Sequence, residues 1–156
     1  MIKLNSSEES RFRELAEGII FHPEFQKMKK LKAHGKKTVF EHSMDVARLS
    51  FKWNRSLKLN IDEKELVTGA LLHDFYLYDW HKARINVPLF KMHGYTHPFT
   101  ACKNAVRTFG IDKRTQNIIK SHMWPLTLRT IPSNKAAWLV CMCDKAIATA
   151  ETVKRI

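Results

Sequence analysis

Residues 66–74 read Leu66-Val67-Thr68-Gly69-Ala70-Leu71-Leu72-His73-Asp74. Leu66, Val67, Ala70 and Leu71 fall at the spacing of one helix face. Asp62, just upstream, is a favoured N-cap residue. The stretch predicts a helix whose apolar run ends in an imidazole and a carboxylate. Ionisable groups on a core-facing stretch are costly unless they are paired or hold a metal.

The same periodicity recurs on both sides. Ser6 to Glu9 reads as a capping box, with Ser6 as the cap. The helix it opens carries Phe12, Leu15 and Ile19 and stops at His22-Pro23. A short basic helix is predicted from Glu24 to Lys32, closed by His34-Gly35. Thr38 to Glu41 is a second capping box. Its helix carries Val39, Met44, Val46, Ala47, Leu49 and Phe51, with His42 in the second turn. Downstream, residues 81–95 read as loop. Thr96 is a cap for a helix that opens with His97-Pro98 and ends at Gly110. Asp112 caps the next helix, which ends near His122. Ser133 or Asn134 starts the last, through Trp138, Val140, Met142, Asp144, Ile147 and Val153. About six or seven helices and no strand predict an all-α, compact helical bundle. It forms one domain over residues 1–156, with its ligand site between helices.

Lys and Arg number 27 against 15 Asp and Glu, a formal charge of +12. A surface that basic attracts anions: nucleotides, nucleic acid or anionic lipid. Lys27, Lys29, Lys30, Lys32, Lys36 and Lys37 form either a solvated helix face or a phosphate-attracting rim. There is no helix-turn-helix or zinc-finger spacing, so no specific nucleic-acid partner is expected. The cysteines are Cys102, Cys141 and Cys143, an odd number without a secretory framework. Cys141 and Cys143 sit in an apolar run and read as small core residues rather than zinc ligands. No run of 18 apolar residues predicts a membrane span, and Met1 to Asn5 is too short and polar for a signal peptide. The expectation is a cytoplasmic protein, with the oligomeric state left open.

His42, His73, Asp74, His122 and Asp144 lie on four different predicted helices, with His97 as a sixth member. Nitrogen and oxygen donors of this kind suit first-row transition metals. Each alone also reads as a satisfied core or surface residue. Asp144, in Val140-Cys141-Met142-Cys143-Asp144, has Lys145 as an alternative partner.

The order His42, His73-Asp74, Asp144 resembles the HD superfamily of metal-dependent phosphohydrolases. The resemblance runs from about His34 to Glu151. It is specific at Val39 to Ala47, Gly69 to Asp74 and Val140 to Lys145. It implies that His42, His73, Asp74 and Asp144 hold one divalent ion. Asp74 would bridge to a second held by His97 and His122, as in two-metal branches of the superfamily. Iron or manganese would be usual, with zinc, nickel, cobalt or magnesium as alternatives. The dinucleoside tetraphosphatase and cyclic-dinucleotide phosphodiesterase branches share the two extra histidines. Those branches often carry a Lys soon after the pair. Here the stretch is Phe75-Tyr76-Leu77-Tyr78-Asp79-Trp80-His81, so their phosphate-binding part is not carried over. The chain looks like a less characterised bacterial subfamily, and the resemblance names no substrate.

Two such ions would bring a shared water's pKa near neutrality and neutralise phosphoryl oxygens in the transition state. Lys82 and Arg84 are candidates to assist Asp74 in catalysis. Lys145, Asn104, Trp124 and His34 are candidates for substrate binding. For each the plainer alternative is a surface, core or helix-end residue. Phe75, Tyr76, Tyr78, Trp80 and Trp124 could stack a base or simply fill the core. The expected function is hydrolysis of a phosphate ester or anhydride in a small compound, with nucleotides first. The alternatives are a catalytically idle HD fold that binds a nucleotide or other anionic partner, and a nucleic-acid-binding helical domain.

Overall fold

The structure, a computed structural model, describes residues 2–33, 37–79 and 93–153. Among these residues seven α-helices follow one another: α1 Ser6–Ile20, α2 Pro23–Gln26, α3 Val39–Ser56, α4 Glu63–Leu72, α5 His93–Phe109, α6 Lys113–Ser121 and α7 Lys135–Val153. A 3-10 turn, Lys27–Lys30, continues α2. Among the described residues there is no strand, only an isolated bridge between Lys32 and Thr38. The all-α expectation holds. No helix among these residues is long and apolar enough to cross a membrane.

α4 lies at the centre, packed on α1, α3, α6 and α7. Its sequence explains that position. Leu66, Val67, Ala70, Leu71 and Leu72 are all fully buried, so the helix is apolar nearly all round. Gly69 lets α6 come close: a Cβ there would sit 2.8 Å from Ile118 Cδ1. Phe12 and Phe51 meet edge to face at 5.7 Å, joining α1 to α3. Phe75 contacts Phe25 and Phe109, so it belongs to the core and not to a stacking surface.

The helix starts follow the capping chemistry, with two differences. The box at α1 is Asn5 with Glu8, not Ser6 with Glu9. Both registers spell a box, and Asn caps as well as Ser. Glu9 is drawn instead to Arg48 of α3, which grips it through two hydrogen bonds of 2.6 and 2.7 Å. Thr38, Asp62 and Asp112 cap α3, α4 and α6 as expected, and Asn134 accepts from Ala137 N at the start of α7.

α5 begins at His93, so residues 93–95 are helical and Thr96 is not a cap. Pro98 sits inside the helix. What extends it is a set of ring contacts: His93 stacks on His97 at 4.5 Å and bonds the Tyr78 hydroxyl at 2.9 Å. The basic helix expected from Glu24 to Lys32 is the short α2 and its 3-10 continuation. Phe25 and Met28 are both fully buried, and residues three apart align in a 3-10 turn. Lys82, Arg84, Trp80 and His34 lie outside the described residues.

Candidate metal centre

Six side chains from five helices and their ends converge. His42 comes from the second turn of α3, and His73 and Asp74 from the end of α4. His97 comes from α5, His122 from the end of α6 and Asp144 from the middle of α7. All six are buried, none more than 8 % exposed. Three overlapping groups could each hold a metal ion: His42 with His73 and Asp74, His73 with His122 and Asp144, and Asp74 with His97 and His122. Asp74 stands between the halves. Its Oδ2 is 4.0 Å from His42 Nε2 and 3.6 Å from His73 Nε2. Its Oδ1 is 3.2 Å from His97 Nε2 and 3.6 Å from His122 Nε2. Asp144 Oδ1 completes the first half, 3.0 Å from His42 Nε2 and 3.5 Å from His73 Nε2.

The rings are oriented by bonds on their far sides. His73 Nδ1 donates to Ala70 O at 2.7 Å, His97 Nδ1 to His93 O at 2.8 Å and His122 Nδ1 to Ile119 O at 2.7 Å. An imidazole that donates from Nδ1 carries its lone pair on Nε2, the form that binds a metal. The fourth ring, His42, meets the Glu151 carboxylate at 3.0 Å through Nδ1. His73 Nε2 and Asp74 Oδ1 are buried without a hydrogen-bond partner. Such groups are expensive to leave unmet. Among the described residues no Lys or Arg pairs with Asp74 or Asp144; their close charged neighbours are the imidazoles. The donor set and its orphaned atoms therefore fit divalent metal.

Without metal the protons distribute accordingly. Burial pushes the His42 imidazole down, but Asp144 and Glu151 outweigh it and raise it to about 10. Burial likewise opposes the charge on His73, and Asp74 and Asp144 prevail, raising it. His122 goes the other way: burial, with the imidazoles of His73 and His97 beside it, lowers it to about 3. Burial disfavours both carboxylates, yet His73 and His97 hold Asp74, and His42 and His73 hold Asp144, well below the usual carboxylate range.

The proposed substrate-side residues fare differently. Asn104 donates to Phe75 O at 3.0 Å and Tyr76 O at 3.2 Å, so its amide fixes the chain just after the His-Asp pair. Trp124 packs edge to face on Trp138 at 4.9 Å. Lys145 does not pair with Asp144. Its Nζ donates to His122 O at 2.8 Å and lies 3.2 Å from Cys141 Sγ. Cys102, Cys141 and Cys143 are buried free thiols.

A small cavity opens onto Asp74, His97, His122 and Asp144 between Ala33, Tyr76, His93 and Met123. A larger, more open groove between the start of α1 and the α3–α4 turn contains none of the donors. Two residues at the centre, His93 and Glu151, escaped sequence reading, and Tyr76 is one of the aromatics read as a stacking or core residue. His93 and Tyr76 line the cavity, but His93 appears in the sequence only as an isolated histidine, and Tyr76 as one of a run of aromatics. Glu151 lies two turns past Asp144, on the same face of α7. That spacing was the available signal.

A family model described as HD domain matches residues 39–149. No curated protein and no solved structure matches the chain.

Proposed function

The chain belongs to the HD domain family, and from that premise we propose that it is a metal-dependent phosphohydrolase acting on a small phosphorylated compound, with nucleotides ahead of sugar phosphates. One observation carries the reading: buried imidazoles whose Nδ1 atoms are tied back, so that Nε2 lone pairs and two ionised carboxylates face one point. His42, His73, Asp74 and Asp144 would hold one divalent ion. Asp74, His97 and His122 would hold a second. Iron and manganese suit such a set, with zinc, nickel, cobalt or magnesium as alternatives. Ions so held supply a water acidified toward neutral pH and neutralise charge on the phosphoryl oxygens.

The side chains do the rest. Asp74 and Asp144 stay ionised in a buried place because imidazoles surround them. Walls from Ala33, Met123, Tyr76 and His93 keep the approach narrow. The net charge of +12 favours a polyanionic substrate. Tyr76 and His93 at the cavity offer ring faces to a base or sugar.

The test is a screen of nucleotides, dinucleoside polyphosphates, cyclic dinucleotides and sugar phosphates with several metals. Turnover should vanish with chelator and return with Mn or Fe. Km should rise with salt, because long-range attraction is screened over about 10 Å at 0.1 M. Asp74→Ala should remove both metal and turnover. Full metal occupancy in that variant would refute the site. Metal-loaded protein that turns over none of these compounds would leave a family member that only binds its anionic ligand.

A further inference from the structure

Glu151, which is not one of the six donors, touches one of them from behind with a charge. Its side chain is 5 % exposed, and Oε2 lies 3.0 Å from His42 Nδ1. His73, His97 and His122 use backbone carbonyls for the same purpose. His73 and His122 can do so because they sit at C-caps, where carbonyls lack helical donors. His42 is in the opening turns of α3. A carboxylate from α7 takes the role instead.

Glu151 is itself held. Lys37 Nζ stands 3.1 Å from Glu151 Oε1 and also pairs with the buried Asp45. Asp45 Oδ1 in turn accepts the Ile2 backbone N–H at 2.8 Å. Asp45, Lys37, Glu151 and His42 thus form a line of alternating charge that ends on a candidate ligand. Lys37 is drawn from the lysine-rich stretch that the sequence left as either a solvated face or a phosphate rim. It faces inward to two carboxylates.

We propose that Glu151 is a positioning residue of the metal centre. It holds His42 by Nδ1 so that Nε2 faces Asp144 and Asp74, and Lys37 keeps the Glu151 carboxylate in place. The inference rests on the metal reading above. A carboxylate behind a ligating imidazole fixes the ring and strengthens it as a donor, and removing such a partner typically costs 10–100-fold in metal affinity.

The experiment titrates the chelator-treated full chain with Co2+ against a competing chelator dye, following the visible absorption of bound Co2+. Wild type, His42→Ala, Glu151→Ala, Glu151→Gln and Lys37→Met are compared. Long-range nitrogen–proton NMR of the metal-free chains reports the protonation of both His42 ring nitrogens. Glu151→Ala should weaken the Co2+ step that His42→Ala abolishes, by about 10–100-fold. It should leave the step that depends on His97 and His122 unchanged. Glu151→Gln preserves size but is a weaker acceptor and carries no charge for Lys37, so it should fall several-fold, and Lys37→Met less. In both Glu151 variants the NMR pattern of His42 should change. Wild-type Co2+ affinity in Glu151→Gln, or in a folded Glu151→Ala, overturns the proposal while the metal reading stands. Equal Co2+ binding by wild type and His42→Ala, or none by wild type, sinks the metal reading itself and the proposal with it.

Discussion

His97 and His122 bring their Nε2 atoms to within 2.8 Å of each other. Each ring is tethered by Nδ1 to a carbonyl of its own helix or helix end. Rings held so turn their Nε2 atoms to one another, and Asp74 Oδ1 adds a third acceptor 3.2 and 3.6 Å away. Three acceptors around one point need a cation or a shared proton between them. Burial and the neighbouring imidazoles push His122 down to about 3, which disfavours the proton there. A metal ion is the better occupant.

It follows that His122→Ala should cut the metal bound per chain by about half, since the His42, His73 and Asp144 side of the cluster keeps its donors. Elemental analysis of the purified variant checks this, with the helical circular-dichroism signal as the control for folding. Metal content equal to wild type would show that His122 is not a ligand.

Asn104→Ala should act on the same centre indirectly. The Asn104 amide holds Phe75 O and Tyr76 O, the two carbonyls that follow Asp74. Leaving buried carbonyls unpaired costs about 1–3 kcal/mol. Urea unfolding should show that loss in metal-free protein, and metal affinity should fall with it. An unchanged urea midpoint would mean that the two carbonyls find other donors.

Gly69→Ala isolates the packing of α4 on α6. The added methyl meets Ile118 Cδ1 and Cγ2, both 2.8 Å from where the Cβ would stand. Forcing a carbon into a filled core costs about 1–3 kcal/mol. A lower Tm is expected for metal-free protein. Because α4 ends in His73-Asp74 and α6 in His122, the variant should also bind metal more weakly. A Tm equal to wild type would mean that Ile118 repacks without cost.

The helices and the six donors were legible because each is written locally. A cap residue, a three-to-four spacing and an ionisable group in an apolar run are all short-range signals, as at Thr38, Leu66–Leu72 and Asp144. The misreadings are places where a distant residue decides. Glu9 fits a capping box until Arg48 takes it. Thr96-His97-Pro98 reads as a helix start until His93 stacks on His97. That the Asn104 amide reaches Phe75 O and Tyr76 O is likewise set by chain far from it in sequence. Glu151 offered only its two-turn spacing from Asp144: nothing near it in sequence reveals that His42, 109 residues earlier, lies against it.

The proton distribution predicts how the metal-free protein responds to pH. From the ordinary histidine value of 6.5, His42 is raised to about 10 and His122 is lowered to about 3. Above pH 6.5 the folded chain keeps a proton on His42 that the unfolded chain has lost. That stability is complete below 6.5 and disappears as pH rises through about 10. Below pH 6.5 the unfolded chain protonates His122 while the folded chain resists until about 3, so stability also falls toward acid. Asp74 and Asp144, both held low, add to the acid loss once pH drops below the usual carboxylate range. The Tm of chelator-treated protein should therefore peak near pH 6.5 and decline on both sides. A bound divalent ion takes the place of the His42 proton. The gap between metal-loaded and chelator-treated Tm should then widen between about pH 6.5 and 9, because rising pH steadily weakens the competition of that proton with metal. Thermal melts of both forms across this range check it. A gap that stays constant would mean that His42 gives up no proton when metal binds, and that its raised affinity for one plays no part in the centre.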